Sequence, residues 1–118
     1  MGLAANVVIA VVALLHVYFL VLEMFLWDKP AGLRAFGHTA EAAAASKVLA
    51  ANQGLYNGFL AAGLLWGLSL GVGGTHIKIF FLLCVLIAGV YGALTASRKI
   101  LFVQALPALL ALILLTIA

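Results

Sequence analysis

The sequence predicts an all-α fold, a polytopic integral membrane protein with four transmembrane helices in one bundle. Hydrophobic residues make up 68% of the 118 residues and charged residues only 8%, whereas soluble domains carry about 25% charged residues. The apolar residues also fall into four segments, and about 20 apolar residues in a helix cross the ~30 Å hydrocarbon core of a bilayer. We therefore expect a single four-helix membrane domain over residues 1–118, with helices at about 3–27, 41–70, 76–96 and 100–116.

The first predicted helix, from about Leu3 to Trp27, is interrupted by His16 and Glu23. These two residues are seven apart and share a face of the helix. An acid within a membrane span is costly, and it usually faces the bundle interior or water. Trp27 marks a membrane interface, and the following residues 28–30 end the helix. The apolar run is too long for a cleavable signal peptide and no basic segment precedes it, so we interpret it as a span.

The second predicted helix begins outside the membrane, within the connection at residues 30–45. Thr39 is suited to be its N-cap, and Glu41 lies in the first turn, near the positive end of the helix dipole. We expect the helix to enter the membrane near Lys47 and to continue to about Leu70.

The first half of this membrane segment carries four hydrogen-bonding side chains, Asn52, Gln53, Tyr56 and Asn57. Asn52 and Tyr56 are four apart, as are Gln53 and Asn57, so the two pairs lie on adjacent strips of one helix face. An amide that faces lipid costs several kcal/mol unless protein or water replaces its lost hydrogen bonds. We therefore expect the other helices to supply polar partners.

Glycines recur at four-residue intervals along the same helix, as Gly54 and Gly58 and again as Gly63, Gly67 and Gly71. Such seams of small residues let two helices approach closely. Two interpretations remain open, namely packing between helices of one chain and contact between copies of the chain. Because a four-helix chain this short has limited interior for so many glycines, we predict a homo-oligomer, either a dimer or a trimer.

Two further helices complete the bundle. A glycine-rich turn at residues 71–75 reverses the chain before the third helix, and a basic turn at residues 97–99 leads to the fourth. Pro107 removes one backbone hydrogen bond from the fourth helix and is expected to bend it. The single cysteine, Cys84, lies in an apolar helix, which favours a small core residue over a disulfide or a metal ligand.

The distribution of lysine and arginine predicts the orientation in the membrane. The connections between helices one and two and between helices three and four share one side. That side holds Lys29, Arg34, Lys47, Arg98 and Lys99. The opposite side holds only Lys78, so by the positive-inside rule we expect a multi-pass protein of the cell (inner) membrane with both termini outside the cytoplasm. Nucleic-acid binding is not expected, since no basic stripe with interleaved aromatic residues exists.

Counting residues along the predicted helices places the polar side chains at similar depths, near the cytoplasmic side of the membrane. At 1.5 Å per residue, Glu23 lies ~6 Å and His16 ~16 Å from the end of helix one. On the same rule Asn52 and Gln53 lie ~8–9 Å and Asn57 ~15 Å from the start of the second span. Glu23 is thus level with Asn52 and Gln53, and His16 is level with Asn57.

The same count places Tyr91 and Gln104 ~9–10 Å from Arg98, also level with Glu23. One polar pocket that opens toward the cytoplasmic leaflet accounts for this collection. We predict His16, Glu23, Asn52, Gln53, Tyr56 and Asn57 as its ligand-binding residues, with Tyr91, Arg98 and Gln104 as accessory residues. We expect no metal or cofactor, because zinc requires three or four ligands and His16 and Glu23 supply two.

Structural interpretations of the same residues remain open. His16 could bridge two helices by hydrogen bonds, and Tyr91 and Gln104 could be packing or interface residues. Arg98 could anchor the topology or reach Glu23 by curling inward, and Glu23 could extend to water at the membrane boundary. Two other histidines are expected to be solvated, His38 and His76.

The segments HVYFLVLEMFLW and KVLAANQGLYNGFLAAGLLWG resemble the small integral-membrane family catalogued as domain of unknown function 1304. The resemblance covers the whole chain, and ANQGLYNG is its specific part. It implies four membrane helices without an assigned activity. It also singles out His16, Glu23, Asn52, Gln53 and Asn57.

A partial resemblance links the second helix to the family of membrane-associated proteins in eicosanoid and glutathione metabolism, which are four-helix trimers with a cytoplasm-side pocket. Asn52, Tyr56 and the GFLA run match that family's asparagine, tyrosine and following apolar run. Leu55 stands where the family has a glutamate, and no arginine lies one turn before Asn52. The resemblance therefore implies a shared architecture and not a shared activity.

Three classes of function follow. We favour an intramembrane pocket that binds a small amphipathic or lipid-like molecule, with or without chemistry on it, and we expect membrane lipids as partners. The alternatives are a small proton-coupled transporter that uses Glu23 and a structural or accessory bundle whose polar residues lock helix packing. A serine–histidine–acid set, a phosphate loop and a metal-binding motif are missing from the sequence, so its motifs name no enzymatic reaction.

Overall fold

The computed structural model describes residues 2–117, and the regular elements in this range are all helical. Five α-helices follow one another, namely α1 (Leu3–Met24), α2 (Pro30–Phe36), α3 (Ala40–Ser69), α4 (Thr75–Thr95) and α5 (Leu106–Ile117). A short 3-10 turn, Gly71–Gly74, joins α3 to α4, and a π-helical turn, Leu101–Ala105, leads into α5. The predicted all-α class is confirmed.

Among the described residues 2–117, two helical segments are long and apolar enough to cross a membrane, Leu3–Met24 and Gly71–Thr95. The chain buries only 28% and 22% of their most apolar stretches, and large uncovered apolar surfaces are typical of contact with a membrane or a partner. The final helical segment, Leu101–Ile117, is shorter, and α3 carries a polar first half. Length and composition thus support two candidate spans, and the four-span bundle remains a prediction.

The chain divides into two compact units, one of which is Leu15–Phe59. The other, larger unit combines the first part of α1 with the second part of α3, α4 and α5. Its core contains fully buried Ile9, Leu64, Leu82 and Val85. Small side chains on α1 and α5 complete this core, Ala5, Ala13, Ala108 and Ala111. Alanine at these positions lets helix backbones pack closely. The single domain predicted over residues 1–118 remains a prediction.

The start of the last helix is irregular, as the proline within it led us to expect. The π-helical turn Leu101–Ala105 lies immediately before Pro107, and Leu106 N–H donates to the carbonyl of Leu101, five residues earlier. A proline cannot donate the backbone hydrogen bond of a regular helix, and a π turn is one known way to accommodate such a break. Gly89 of α4 packs against this turn, where an added Cβ would lie 3.0 Å from the backbone N of Ala105.

The smaller unit contains a helix that the sequence analysis treated as a connection. α2 begins with Pro30 at its first position and ends at Gly37, whose φ of 64° is left-handed and whose N–H donates to Leu33 O. Proline at the start and glycine after the end are the usual helix boundaries. Gly32 lies directly against the carbonyl of Leu26, a contact that a Cβ would prevent. The sequence analysis looked for long apolar segments, and a helix this short is not found in that way.

The boundaries of the long helices agree with prediction to within a few residues. The hydroxyl of Thr39 accepts a hydrogen bond from Ala42 N–H at 3.1 Å, which confirms Thr39 as the cap of α3, and Glu41 lies in the first turn. The first helix ends at Met24, three residues before Trp27.

Candidate functional site

A buried carboxyl–amide pair joins α1 to α3 within the smaller unit. Asn57 Nδ2 donates a hydrogen bond to Glu23 Oε1 at 2.5 Å. Glu23, in the last turn of α1, is 9% exposed, and Asn57 is 7% exposed. Of the residues that the sequence analysis selected, these two are therefore in direct contact, although the depth count had placed Asn57 level with His16 and Glu23 level with Asn52 and Gln53.

Two glycines of α3 allow this contact. A Cβ on Gly54 would lie 2.6 Å from Met24 Cγ and 3.1 Å from Glu23 Cβ, and a Cβ on Gly58 would lie 2.7 Å from Leu20 Cδ1. A side chain at Gly54 would displace parts of α1, whereas one at Gly58 would require only the end of the Leu20 side chain to move. Glycine at these positions, above all at Gly54, therefore lets α3 approach α1. The seam Gly54 and Gly58 thus packs two helices of the same chain, which is one of the two interpretations that the sequence left open.

The carboxyl group of Glu23 keeps hydrogen-bonding capacity. Only Oε1 makes a hydrogen bond with the described residues 2–117. A carboxylate has two oxygens and about four acceptor positions. A hydrogen-bond donor from outside the chain could therefore bind the second oxygen of Glu23.

The other polar residues of α3 do not face Glu23. Asn52 and Gln53 are exposed, and Tyr56 is 53% exposed, with its ring edge-to-face against Phe59. The prediction that all four polar residues of α3 face one interior patch is therefore wrong for the isolated chain. Asn57 alone turns toward α1.

The positions of the glycines around α3 explain why Asn57 faces α1 and Asn52 does not. At 3.6 residues per turn, Asn57 lies about 60° around the helix from Gly54, whereas Asn52 lies about 160° away. The side of α3 that carries glycine is the side that packs against α1. This signal was present in the sequence and would have separated Asn57 from Asn52.

The remaining predicted residues lie elsewhere. His16 is 1% exposed within α1, with its ring edge-to-face against Phe19. In the larger unit, Gln104 Nε2 donates to Val85 O at 3.0 Å, and Tyr91 and Arg98 are exposed. The contacts of Gln104 match a packing role, one of the alternatives left open.

Lys78 is a buried polar residue that sequence reasoning used only to count charges. It is 2% exposed, and its Nζ donates to Asn6 Oδ1 at 3.1 Å and to the carbonyl of Gly71 at 3.3 Å. Gly71 follows the end of α3 with a left-handed φ of 60°, so the ammonium lies near the negative end of the α3 dipole. A Cβ on Gly67 would lie 2.8 Å from Lys78 Cγ. The sequence contained a signal for this buried residue, namely a lysine inside an otherwise apolar helix.

The connection between α1 and α3 carries an aromatic cluster and one ion pair. Trp27 lies edge-on to His38, with ring centroids 4.4 Å apart, and its indole N–H donates to Ser46 Oγ at 3.1 Å. His38 is half-buried, so it is less solvated than the sequence analysis expected. Lys47 Nζ lies 3.0 Å from Asp28 Oδ2, and this hydrogen bond holds the pKa of Asp28 below its ordinary value of 3.8.

An apolar groove of about 570 Å³ lies in the larger unit, between α1 and the last helix. Its lining residues are Val8, Val11, Phe102, Leu106, Pro107, Leu109, Leu110 and Ile113. None of the predicted site residues lines it, so the predicted polar pocket remains a prediction. Within residues 2–117, no three His, Cys, Asp or Glu side chains are grouped to bind a metal ion.

Comparison with known proteins identifies relatives without a known activity. The family described as "Protein of unknown function (DUF1304)" matches residues 10–116, a range that includes the ANQGLYNG segment at residues 51–58. The chain is also 34% identical over 104 residues to "Uncharacterized protein YpaA" of Lactococcus lactis subsp. lactis (strain IL1403), which covers 86% of this chain and 87% of that protein. No solved structure matches the chain.

Proposed function

The chain belongs to the family described as "Protein of unknown function (DUF1304)", and because that description assigns no activity, we propose a function from the residues themselves. We propose that this is a multi-pass membrane protein that binds a small amphipathic molecule, whose polar head donates a hydrogen bond to Glu23. The observation that carries the proposal is the second carboxyl oxygen of Glu23, which makes no hydrogen bond within residues 2–117.

The proposed ligand follows from the surroundings of that oxygen. Ionised or neutral, a carboxyl group accepts hydrogen bonds, so an alcohol or amine head suits it better than a head without a donor. Glu23 lies near the end of an apolar helix with a mean hydropathy of 2.5 in its most apolar stretch. A ligand that reaches it from a bilayer must combine such a head with an apolar tail.

Membrane placement is part of the proposal. We place α1, residues 47–69 of α3, α4 and the last helix across the cell (inner) membrane, with both termini outside the cytoplasm. In a Cys84→Ala background, Ala35→Cys should react with a membrane-impermeant maleimide from the cytoplasmic side and Gly73→Cys from the outside. The reverse pattern would contradict the orientation, and labelling of both from one side would show that α3 does not span.

Ligand binding is tested with three probes of equal chain length, 1-decanol, decylamine and methyl decanoate. Decanol and decylamine carry a donor head, and methyl decanoate does not. The first two should raise the unfolding temperature of the purified protein, since a ligand that binds only the folded state stabilises it. Glu23→Leu should lose this response. Glu41→Leu, which removes an exposed acid of α3, should keep it.

Two results would reject ligand binding at Glu23. One is an equal response to all three probes, which indicates nonspecific partitioning. The other is an unchanged response in Glu23→Leu, which places the ligand elsewhere, for example in the apolar groove of the larger unit.

Proton-coupled transport is a second candidate, because Glu23 is the acid within the α1 span and its partner Asn57 is neutral. Proteoliposomes with an internal pH-sensitive dye should then show proton flux that Glu23→Gln abolishes without changing assembly. A structural bundle is the third candidate, favoured by the hydrogen bond that Glu23 and Asn57 share. It predicts that Glu23→Gln leaves folding intact, with neither probe response nor flux in the parent protein.

A further inference from the structure

The outward side of α3 carries a stripe of exposed side chains that we call the Asn52 stripe, formed by Leu49, Asn52, Tyr56 and Phe59. Leu49 is 74% exposed, Tyr56 53% and Phe59 55%, and Asn52 is also exposed. Their spacings of three, four and three residues place them on one side of the helix. This is the spacing by which two helices pack side by side over several turns.

Asn52 carries the amide of this stripe and makes no side-chain hydrogen bond within residues 2–117. It lies five residues beyond Lys47, where we place the entry of α3 into the membrane. An amide there loses several kcal/mol if it faces lipid. A partner must therefore offer both a donor and an acceptor at this level.

The glycines of α3 are not available for such a partner. Gly54 and Gly58 pack against Met24 and Leu20 of α1. In the larger unit, Gly63 packs closely against the ring of Phe81. The close helix contacts that small residues permit are thus already made within the chain. The Asn52 stripe lies on the other side of α3.

We propose that a second copy of this chain covers the Asn52 stripe, with the α3 helices of the two copies side by side and the Asn52 amides hydrogen-bonded to each other. An amide is self-complementary because it donates and accepts. Copies in one membrane share an orientation, so their α3 helices run parallel and each residue near the symmetry axis meets its counterpart. A single asparagine in such a seam fixes register and the number of copies.

This inference rests on the proposed membrane span of α3 and not on ligand binding at Glu23. Single cysteines at Asn52, Tyr56 or Ile87 in a Cys84→Ala background, oxidised in native membranes, test it directly. Asn52→Cys and Tyr56→Cys should form disulfide-linked dimers. Ile87→Cys is the matched control, since Ile87 is 67% exposed on α4 but lies off the stripe.

Association in detergent gives a second, independent readout. Asn52→Ala should weaken dimerisation by about three- to thirty-fold, the range expected for one interhelical hydrogen bond in a membrane. Ile87→Ala should leave dimerisation unchanged. Because Asn52 is exposed and makes no side-chain hydrogen bond within residues 2–117, Asn52→Ala should also leave the unfolding of the monomer unchanged.

Three outcomes would overturn the inference, and they can be told apart. A monomer in native membranes, with Asn52→Cys shielded from a water-soluble maleimide, would reject the contact but keep the span. Rapid reaction of Asn52→Cys with that maleimide would show that Asn52 faces water and would reject the span as well. Equal cross-linking at Ile87 and Asn52 would also reject it, since it would indicate random collision.

Discussion

Replacing Glu23 by leucine should destabilise the protein, because the change leaves the buried Asn57 amide without its acceptor. Asn57 is 7% exposed, and its side chain makes its hydrogen bond to Glu23 Oε1. A buried polar group without a partner costs about 1–3 kcal/mol. Leucine also removes the cost of burying a carboxyl group, so we expect a net loss of about 1–2 kcal/mol.

A double-mutant cycle isolates the pair. Asn57→Leu alone leaves the carboxyl group of Glu23 without its hydrogen-bond donor. Glu23→Leu combined with Asn57→Leu leaves neither group without a partner, because both polar groups are removed. The double variant should therefore lose less stability than the sum of the single variants, by about 1–3 kcal/mol. Glu23→Gln keeps an acceptor for Asn57 and should stay within about 0.5 kcal/mol of the parent.

Unfolding in mixed micelles of a mild detergent and dodecyl sulfate, followed by circular dichroism, measures these differences. Glu41→Leu is the control, because Glu41 is exposed in the first turn of α3. Additive effects of Glu23→Leu and Asn57→Leu would refute the proposed contact. So would a Glu23→Leu protein as stable as the parent, since that result would place Glu23 in water or among lipid headgroups.

Three further predictions concern other contacts. Lys78→Met should cost about 1–3 kcal/mol in the same unfolding assay, because it leaves Asn6 Oδ1 of α1 and the carbonyl of Gly71 without their donor, whereas Lys78→Arg should recover part of the loss. Gly89→Leu should cost about 1–3 kcal/mol by overpacking against the Ala105 backbone, and unchanged unfolding would contradict that close approach. The lowered pKa of Asp28 means that its bond to Lys47 stabilises the folded state above pH 3.8 and that this contribution is lost as the pH falls below it. Asp28→Asn should flatten this part of the pH profile, and an unchanged profile would show that the exposed pair contributes nothing.

Local signals in the sequence predicted the helices well. A threonine hydroxyl followed by helix-forming alanines is sufficient to start α3 at Thr39, because a cap is satisfied within one turn. The glycine-rich turn after α3 and the disturbed helix around Pro107 follow from backbone chemistry in the same way. The helix α2 was missed even though Pro30 and Gly37 mark its ends, since its seven residues are too few to show apolar periodicity.

The sequence analysis selected residues as candidates for a site, but it did not predict which distant residues contact each other. Glu23 and Asn57 are 34 residues apart, and their hydrogen bond depends on how closely α1 and α3 approach. The same holds for Lys78, whose burial requires both the N-terminal part of α1, through Asn6, and the end of α3. A charge count records that Lys78 is present but not what surrounds it.

The sequence alone determined the all-α class, the approximate extents of the three long helices and the polar residues of interest, because these depend on composition and on neighbours within a turn or two. Only the tertiary structure decided which side of α3 is covered. Asn52 and Asn57 lie about 140° apart around the helix, so no single packed face includes both. Gly54 and Gly58 admit α1 on the side of Asn57, which leaves Asn52 exposed. The physical reason is steric, since two helices approach closely where the facing side chains are small or absent.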